Sequence, residues 1–155
     1  SHGANSLRTD RSRFQIEFGW MGTSDPSAAL CVPKSIEFVR SLRPGGWDEV
    51  MNHNRDLALA ARRTLCAALD VPPPCPDEFI GALASVPLPD ARDSAPSKSP
   101  LYLDALQDEL LAKFQIEVPV IPWPAPPKRL LRISAQLYNS LPQYEKLAGA
   151  LNKLV

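Results

Sequence analysis

The chain has 155 residues, enough for one ordinary domain with a buried core. Its 45% hydrophobic and 22% charged content is that of a globular protein, which argues against disorder. Lys+Arg and Asp+Glu both number 17, so no charge excess points to nucleic acid or an anionic membrane surface, and no apolar run approaches the roughly 20 residues of a membrane span.

The first dozen residues, polar and without an apolar signal core, carry no periodicity. RFQIEFGW alternates Phe14, Ile16 and Phe18 with Arg13, Gln15 and Glu17, which predicts a short, half-buried extended segment. Asp25 is placed to cap a helix with Pro26 at its first position. Pro33 is expected to interrupt that helix after about two turns, with a restart at PKSIEFVRSL. RPGGW then predicts a turn. A long helix follows from Trp47 to Leu69, its stripe formed by Val50, Asn54, Leu57, Ala61, Leu65 and Ala68. Prolines 72–74 end it.

A strand is expected near Ala84 to Leu88, and then a polar loop over PDARDSAPSKSP. A second amphipathic helix carries Leu103, Leu106, Leu110 and Phe114 on one face, with Glu109 and Lys113 paired on another. IEVPVI (116–121) and RLLRISA (129–135) read as strands separated by a proline-rich turn. A closing helix starts at a Ser140–Gln143 capping box and presents Tyr144, Leu147, Leu151 and Leu154. The order implies an α+β unit, a small and mainly antiparallel sheet covered on one face by helices.

The 17 prolines, about twice the usual share of ~5%, punctuate periodic segments and so mark rigid connections. The three cysteines, Cys31, Cys66 and Cys75, are odd in number and lack a close pair. Neither a disulfide framework nor a zinc site follows, and a reducing, cytoplasmic location is expected. Cys31 and Cys66 are expected to pack as small hydrophobes. Trp20, Trp47 and Trp123 are expected as packing lids over loops, and His53 as an exposed helical residue.

Two places can carry chemistry. Gly22 and Thr23 precede a helix N-terminus, where unpaired N–H groups favour phosphate or carboxylate; an ordinary capped helix start is the alternative. Arg132 lies between Leu131 and Ile133 on a strand, and it is either an edge arginine in a salt bridge or a fork for a ligand carboxylate. No nucleophile elbow, HExxH or phosphate loop occurs.

WMGTSDPSAALCVPKSIEFV, GGWDEVMNHNRDLALAARRTLCAAL, IEVPVIPWP and LLRISAQLYNSLPQYEKLAGAL together resemble the class V branch of pyridoxal-phosphate enzymes of the aspartate-aminotransferase fold, within it the isopenicillin N epimerase-like and cysteine desulfhydrase-like group. The likeness runs through the whole chain and thins around residues 70–100. GT-x-D about a hundred residues before R-I-S-x-Q-x-Y-N is its most specific part.

The resemblance implies the small C-terminal domain of a fold type I enzyme. Residues 1–42 would end the large domain and residues 43–155 form the small one. It implies a homodimer in which Thr23, beside Gly22, reaches the cofactor phosphate of the other subunit, and Arg132 binds the α-carboxylate of an amino-acid substrate. Family members hold pyridoxal phosphate covalently on a lysine, and the positions of that lysine and of the aspartate at the pyridine nitrogen lie upstream of this chain. None of Lys34, Lys98, Lys113, Lys128, Lys146 and Lys153 matches the lysine motif. The chain is therefore expected to contain no catalytic residue. It would act as the C-terminal part of an epimerase, desulfhydrase or aminotransferase, or alternatively as a truncated, non-catalytic dimerisation module. A cysteine desulfurase is disfavoured, since IPWPAPPKRLLR offers no cysteine.

Overall fold

The computed structural model describes residues 6–20, 22–91 and 104–155. Cα packing divides the chain into Ser1–Ser41 and Leu42–Val155.

The first unit contains α1 (Arg13–Phe18) and α2 (Ser27–Ser41). The extended segment expected at 13–18 is instead helical. Ser12 N–H donates to Gln15 Oε1 at 3.0 Å while Gln15 N–H donates to Ser12 Oγ at 3.2 Å. That reciprocal cap satisfies two otherwise orphaned donors. The i,i+4 pairs Arg13–Glu17, at 2.6 Å, and Phe14–Phe18, with ring centroids 5.1 Å apart, need helical spacing too. Pro33 lies inside α2 without breaking it. Its ring removes one N–H, but α2 is solvent-exposed around it, so water can serve the freed carbonyl. Neither helix has a buried residue.

The second unit is α+β. Three strands, β1 (Leu83–Leu88), β2 (Val120–Pro122) and β3 (Arg129–Ser134), form an antiparallel sheet in the order β1-β3-β2. Its helices are α3 (Gly46–Leu69), α4 (Ala105–Phe114) and α5 (Leu141–Leu154), with a 3₁₀ turn at Asp77–Phe79. Strand alternation puts Ala84, Val86 and Leu88 of β1, Val120 of β2, and Leu131 and Ile133 of β3 into the core. Leu131 pairs with both Val86 and Val120, so one apolar row crosses all three strands. Onto it pack Ala58, Ala61 and Leu65 of α3, Leu106 and Leu110 of α4, and Leu147 and Leu151 of α5.

The expected stripe of α3 holds, with Leu57 and Ala68 only partly buried and Ala58, Leu59 and Arg62 buried in addition. The helix begins where Gly46 takes φ +64° and ends at Asp70, which takes the left-handed conformation at φ 53°. The strand expected at 116–121 contracts to Val120–Pro122. Gln115 adopts φ 56° as the C-cap of α4, and Ile116 N–H bonds back to Leu110 O at 3.1 Å. Residues 116–119 thus begin as a helix exit, and Pro119 offers no ladder donor. Ile116 and Val118 still pack against the core. Leu103 and the polar loop at 92–100 lie outside the described residues.

Arg62 is 1% exposed and anchors the proline-rich connection after α3. Its Nη1 donates to Cys75 O at 2.9 Å and its Nη2 to Asp77 Oδ1. Arg55 adds bonds from Nε to Ile80 O and from Nη2 to Asp77 O, both at 3.1 Å. Cys66 is buried as expected, whereas Cys31 is exposed on α2, where no core exists to receive it.

Leu131 is fully buried at the sheet centre, so Leu131→Ala should cost about 2–5 kcal/mol in urea unfolding of the chain. Phe38→Ser, at a residue 62% exposed, should stay within about 0.5 kcal/mol of the parent.

Candidate functional site

Arg132 owes its position to the period of β3. Leu131 and Ile133 on either side point into the core, so Arg132 stands on the other sheet face, opposite Ser85 of β1. Its backbone N–H donates to Pro119 O at 3.0 Å. β3 is the central strand, so the edge-arginine alternative does not apply. Among the described residues the Arg132 guanidinium makes neither hydrogen bond nor ion pair.

Arg129, three residues earlier, behaves differently. Its Nη1 lies 3.0 and 3.2 Å from the two Asp104 carboxylate oxygens, and its Nε donates to Pro89 O at 3.0 Å. Both partners of this pair are about nine-tenths buried. The structural arginine of the strand is thus Arg129, and Arg132 is the open one.

Arg132 helps to line a groove of about 330 Å³ with Glu117, Asn139, Gln143, Tyr144 and Lys146. Several of these positions are fixed by local caps. Gln143 Oε1 accepts Ser140 N–H at 3.0 Å, as the capping-box spacing predicts, and also Asn139 Nδ2 at 3.1 Å. Asn139 Oδ1 accepts Gln136 N–H at 3.0 Å, and Tyr144 OH donates to Ser134 O at 2.6 Å. Burial pushes the Tyr144 hydroxyl above its usual 10.0, with Tyr138 adding to it. Burial also pushes the Cys66 thiol above its usual 9.0, against the pull of Arg62. Sequence reasoning missed Glu117 and Lys146, because nothing local to either residue marks a groove assembled from a loop, a strand and a helix. It had Gln143 only as a cap.

Gly22 and Thr23 lie in the first unit, between α1 and α2, and both are exposed. Gly22 takes φ +112°, a conformation that favours glycine, and a Cβ there would meet nothing within 4 Å. The N-terminus of α2 is already served. Ser27 N–H and Oγ both donate to Asp25 Oδ1, at 2.9 and 2.5 Å. These bonds, the hydroxyl's first, hold the Asp25 carboxyl below its usual range. An ionised carboxylate therefore occupies the helix end, so an anion would be met by Gly22 and Thr23 ahead of the helix and not by the helix terminus itself.

Two other expectations change. His53 is half-buried, not exposed, and its Nε2 is buried with no hydrogen-bond partner among the described residues. Trp20 and Trp123 are more than half exposed and Trp47 is half-buried. Among the described residues no group of His, Cys, Asp and Glu could hold a metal ion, and no helix is long and apolar enough to cross a membrane.

The second unit is a small α+β fold, and the arginine at the centre of its sheet is unpaired among the described residues. No family model matches the chain. It is 32% identical over 146 residues to "Probable L-cysteine desulfhydrase, chloroplastic" of Arabidopsis thaliana, covering 90% of this chain and 30% of that protein. To the isopenicillin N epimerase of Amycolatopsis lactamdurans it is 33% identical over 135 residues, covering 86% and 30%. To an L-cysteine desulfhydrase of Arabidopsis thaliana it is 28% identical over 153 residues, covering 90% and 33%. The chain is thus similar to a C-terminal portion of class V aminotransferase-like enzymes, represented by these desulfhydrases and this epimerase. It spans about 30% of the length of these relatives.

The folded state holds the Cys66 and Tyr144 protons more tightly than the unfolded chain does. Their contributions to stability are therefore complete below pH 9 and fall as pH rises past 9.0 for Cys66 and past 10.0 for Tyr144. Urea midpoints measured from pH 8 to 11 should drop in that window, and Tyr144→Phe should remove the upper part of the drop. The same change should cost about 1 kcal/mol at pH 7 through the lost bond to Ser134 O.

Proposed function

We propose that this chain is the C-terminal part of a pyridoxal-phosphate-dependent enzyme acting at the α-carbon of an amino acid, as an epimerase, a desulfhydrase or another lyase, or an aminotransferase. In this reading residues 1–42 end the large domain and residues 43–155 form the small domain. The observation that supports it most is the unpaired Arg132 on the central strand, in a chain related to desulfhydrases and an epimerase.

The chain's own residues fit two tasks around such a cofactor. Arg132 offers a planar fork for the substrate α-carboxylate. Holding that carboxylate fixes the rotation of the α-carbon and so selects which of its bonds faces the cofactor. Gly22, with open space where a side chain would be, lets backbone approach a phosphate closely, and the Thr23 hydroxyl adds a donor. The proposed phosphate belongs to the other subunit of a homodimer. Pyridoxal phosphate, when bound, would supply an electron sink for charge developing at the α-carbon. No lysine of this chain matches the family's cofactor lysine, so the chain alone is inactive in this reading. A cytoplasmic location goes with it, since the three cysteines are free.

One observation favours a second reading, a non-catalytic dimerisation module. Leu30, Val32, Ile36 and Phe38 of α2 are all more than half exposed, a concentration of apolar surface that suits contact with another subunit.

Intact mass of the protein from its native source, before and after borohydride reduction, tests the first reading. A chain longer than 17.0 kDa that gains a reduced pyridoxyl-phosphate adduct is expected. A 17.0 kDa species without adduct would leave only the second. Thr23→Ala in the 155-residue chain should change stability by less than about 0.5 kcal/mol, because the proposed partner of Thr23 is a phosphate and not this fold. A larger loss in urea unfolding would make Thr23 a structural residue.

A further inference from the structure

The groove beside Arg132 carries more charge than a single carboxylate uses. Arg132 comes from β3, Lys146 from α5 and Glu117 from the segment before β2. All three are exposed, and among the described residues none of their side chains makes a hydrogen bond or ion pair. Several other cations of this unit are committed, Arg129 to Asp104, Lys113 to Glu109 and Lys128 to Asp90. The amide oxygens in the groove are committed as well, since Asn139 Oδ1 and Gln143 Oε1 accept from Gln136 N–H and Ser140 N–H. The charged groups of the groove are therefore two cations and one anion, around a volume of about 330 Å³ that suits a small molecule.

We propose that this groove is selective for an acidic α-amino acid, a ligand with two carboxylates and one ammonium. Arg132 takes the α-carboxylate, Lys146 takes the side-chain carboxylate, and Glu117 faces the ammonium of the arriving amino acid. A neutral amino acid leaves Lys146 without a partner, and a basic one meets it with like charge, so the preference arises at Lys146. The proposal rests on the reading of Arg132 given above and adds a substrate class to it.

The test is an NMR shift titration of the 155-residue chain with L-glutamate and with L-glutamine, which has nearly the same shape and no side-chain charge. Glutamate is expected to bind about five-fold more tightly, the scale of one exposed ion pair, and the difference should shrink in salt. Lys146→Met should bring glutamate down to the glutamine level, while Arg132→Met weakens both. Equal binding of the two ligands, lost in Arg132→Met, would overturn the acidic preference and leave Arg132 as a carboxylate clamp. Binding of both ligands unchanged by Arg132→Met, or no binding of either, would overturn both. Lys146 and Arg132 are exposed, so an unchanged amide spectrum of each variant separates lost binding from lost folding.

Discussion

The second unit depends on the alternation of a single strand. β3 is hydrogen-bonded on both sides, so its register is fixed twice, by β1 and by β2. Leu131 and Ile133 must face the helices, because the core formed with α3, α4 and α5 has no other centre. A slip of one residue would drive Arg132 into that core and expose both apolar neighbours. Burying an unpaired guanidinium is far costlier than burying the roughly 1.5–3 kcal/mol of side chain it would displace is favourable. The packing that stabilises the unit therefore also fixes where its open cation stands, and no separate device is needed to hold the Arg132 backbone.

A second constraint acts at the far end of α3. Arg62 is almost wholly inside, and its charge is met by the half-exposed Asp77 and by the Cys75 carbonyl. Removal of one partner from such a pair leaves a buried charge uncompensated, which is why the pair fastens the chain more firmly than a surface bridge would. It ties the proline-rich connection to the helix just before β1 begins, so the strand enters the sheet from a fixed point. Prolines at 72–74 and 76 reduce the freedom of that connection before any contact is made. The same arginine sets the surroundings of Cys66, whose thiol is kept protonated by burial while Arg62 pulls the other way.

Where a segment's fate is decided by its own period, the sequence was easy to read. The stripe of α3, the β3 alternation and the Ser140–Gln143 box all follow from spacing alone. Spacing misleads where a second signal competes. In RFQIEF the period-two pattern coexists with a Ser12–Gln15 box and an i,i+4 phenylalanine pair, and helical hydrogen bonding prevails over a strand that would have no neighbour. Pro33 breaks a helix only where its missing bond goes unmet, and on an exposed helix water replaces that bond. The groove was illegible for a different reason. Glu117, Arg132 and Lys146 are distant in sequence, and only the turn from α4 into β2 and the packing of α5 bring them to one place.

The first unit poses the opposite physical problem. Its helices have good local reasons to form, including a full capping box on α1 and an Asp25 cap on α2, but no buried residue. Helices of 6 and 15 residues are marginal on local terms, because nucleation is costly and isolated helices below about 12–15 residues gain little from propagation. Caps contribute about 1 kcal/mol each and cannot replace a packed face. Leu30 and Phe38 lie on one side of α2 and Val32 and Ile36 on another, all of them exposed, and the core of Leu42–Val155 is built without them. The apolar surface of α2 is thus surplus to the folding of the second unit. Caps and helix propensity alone therefore hold α2, and Gly22 and Thr23 stand on the same short segment just ahead of its Asp25 cap.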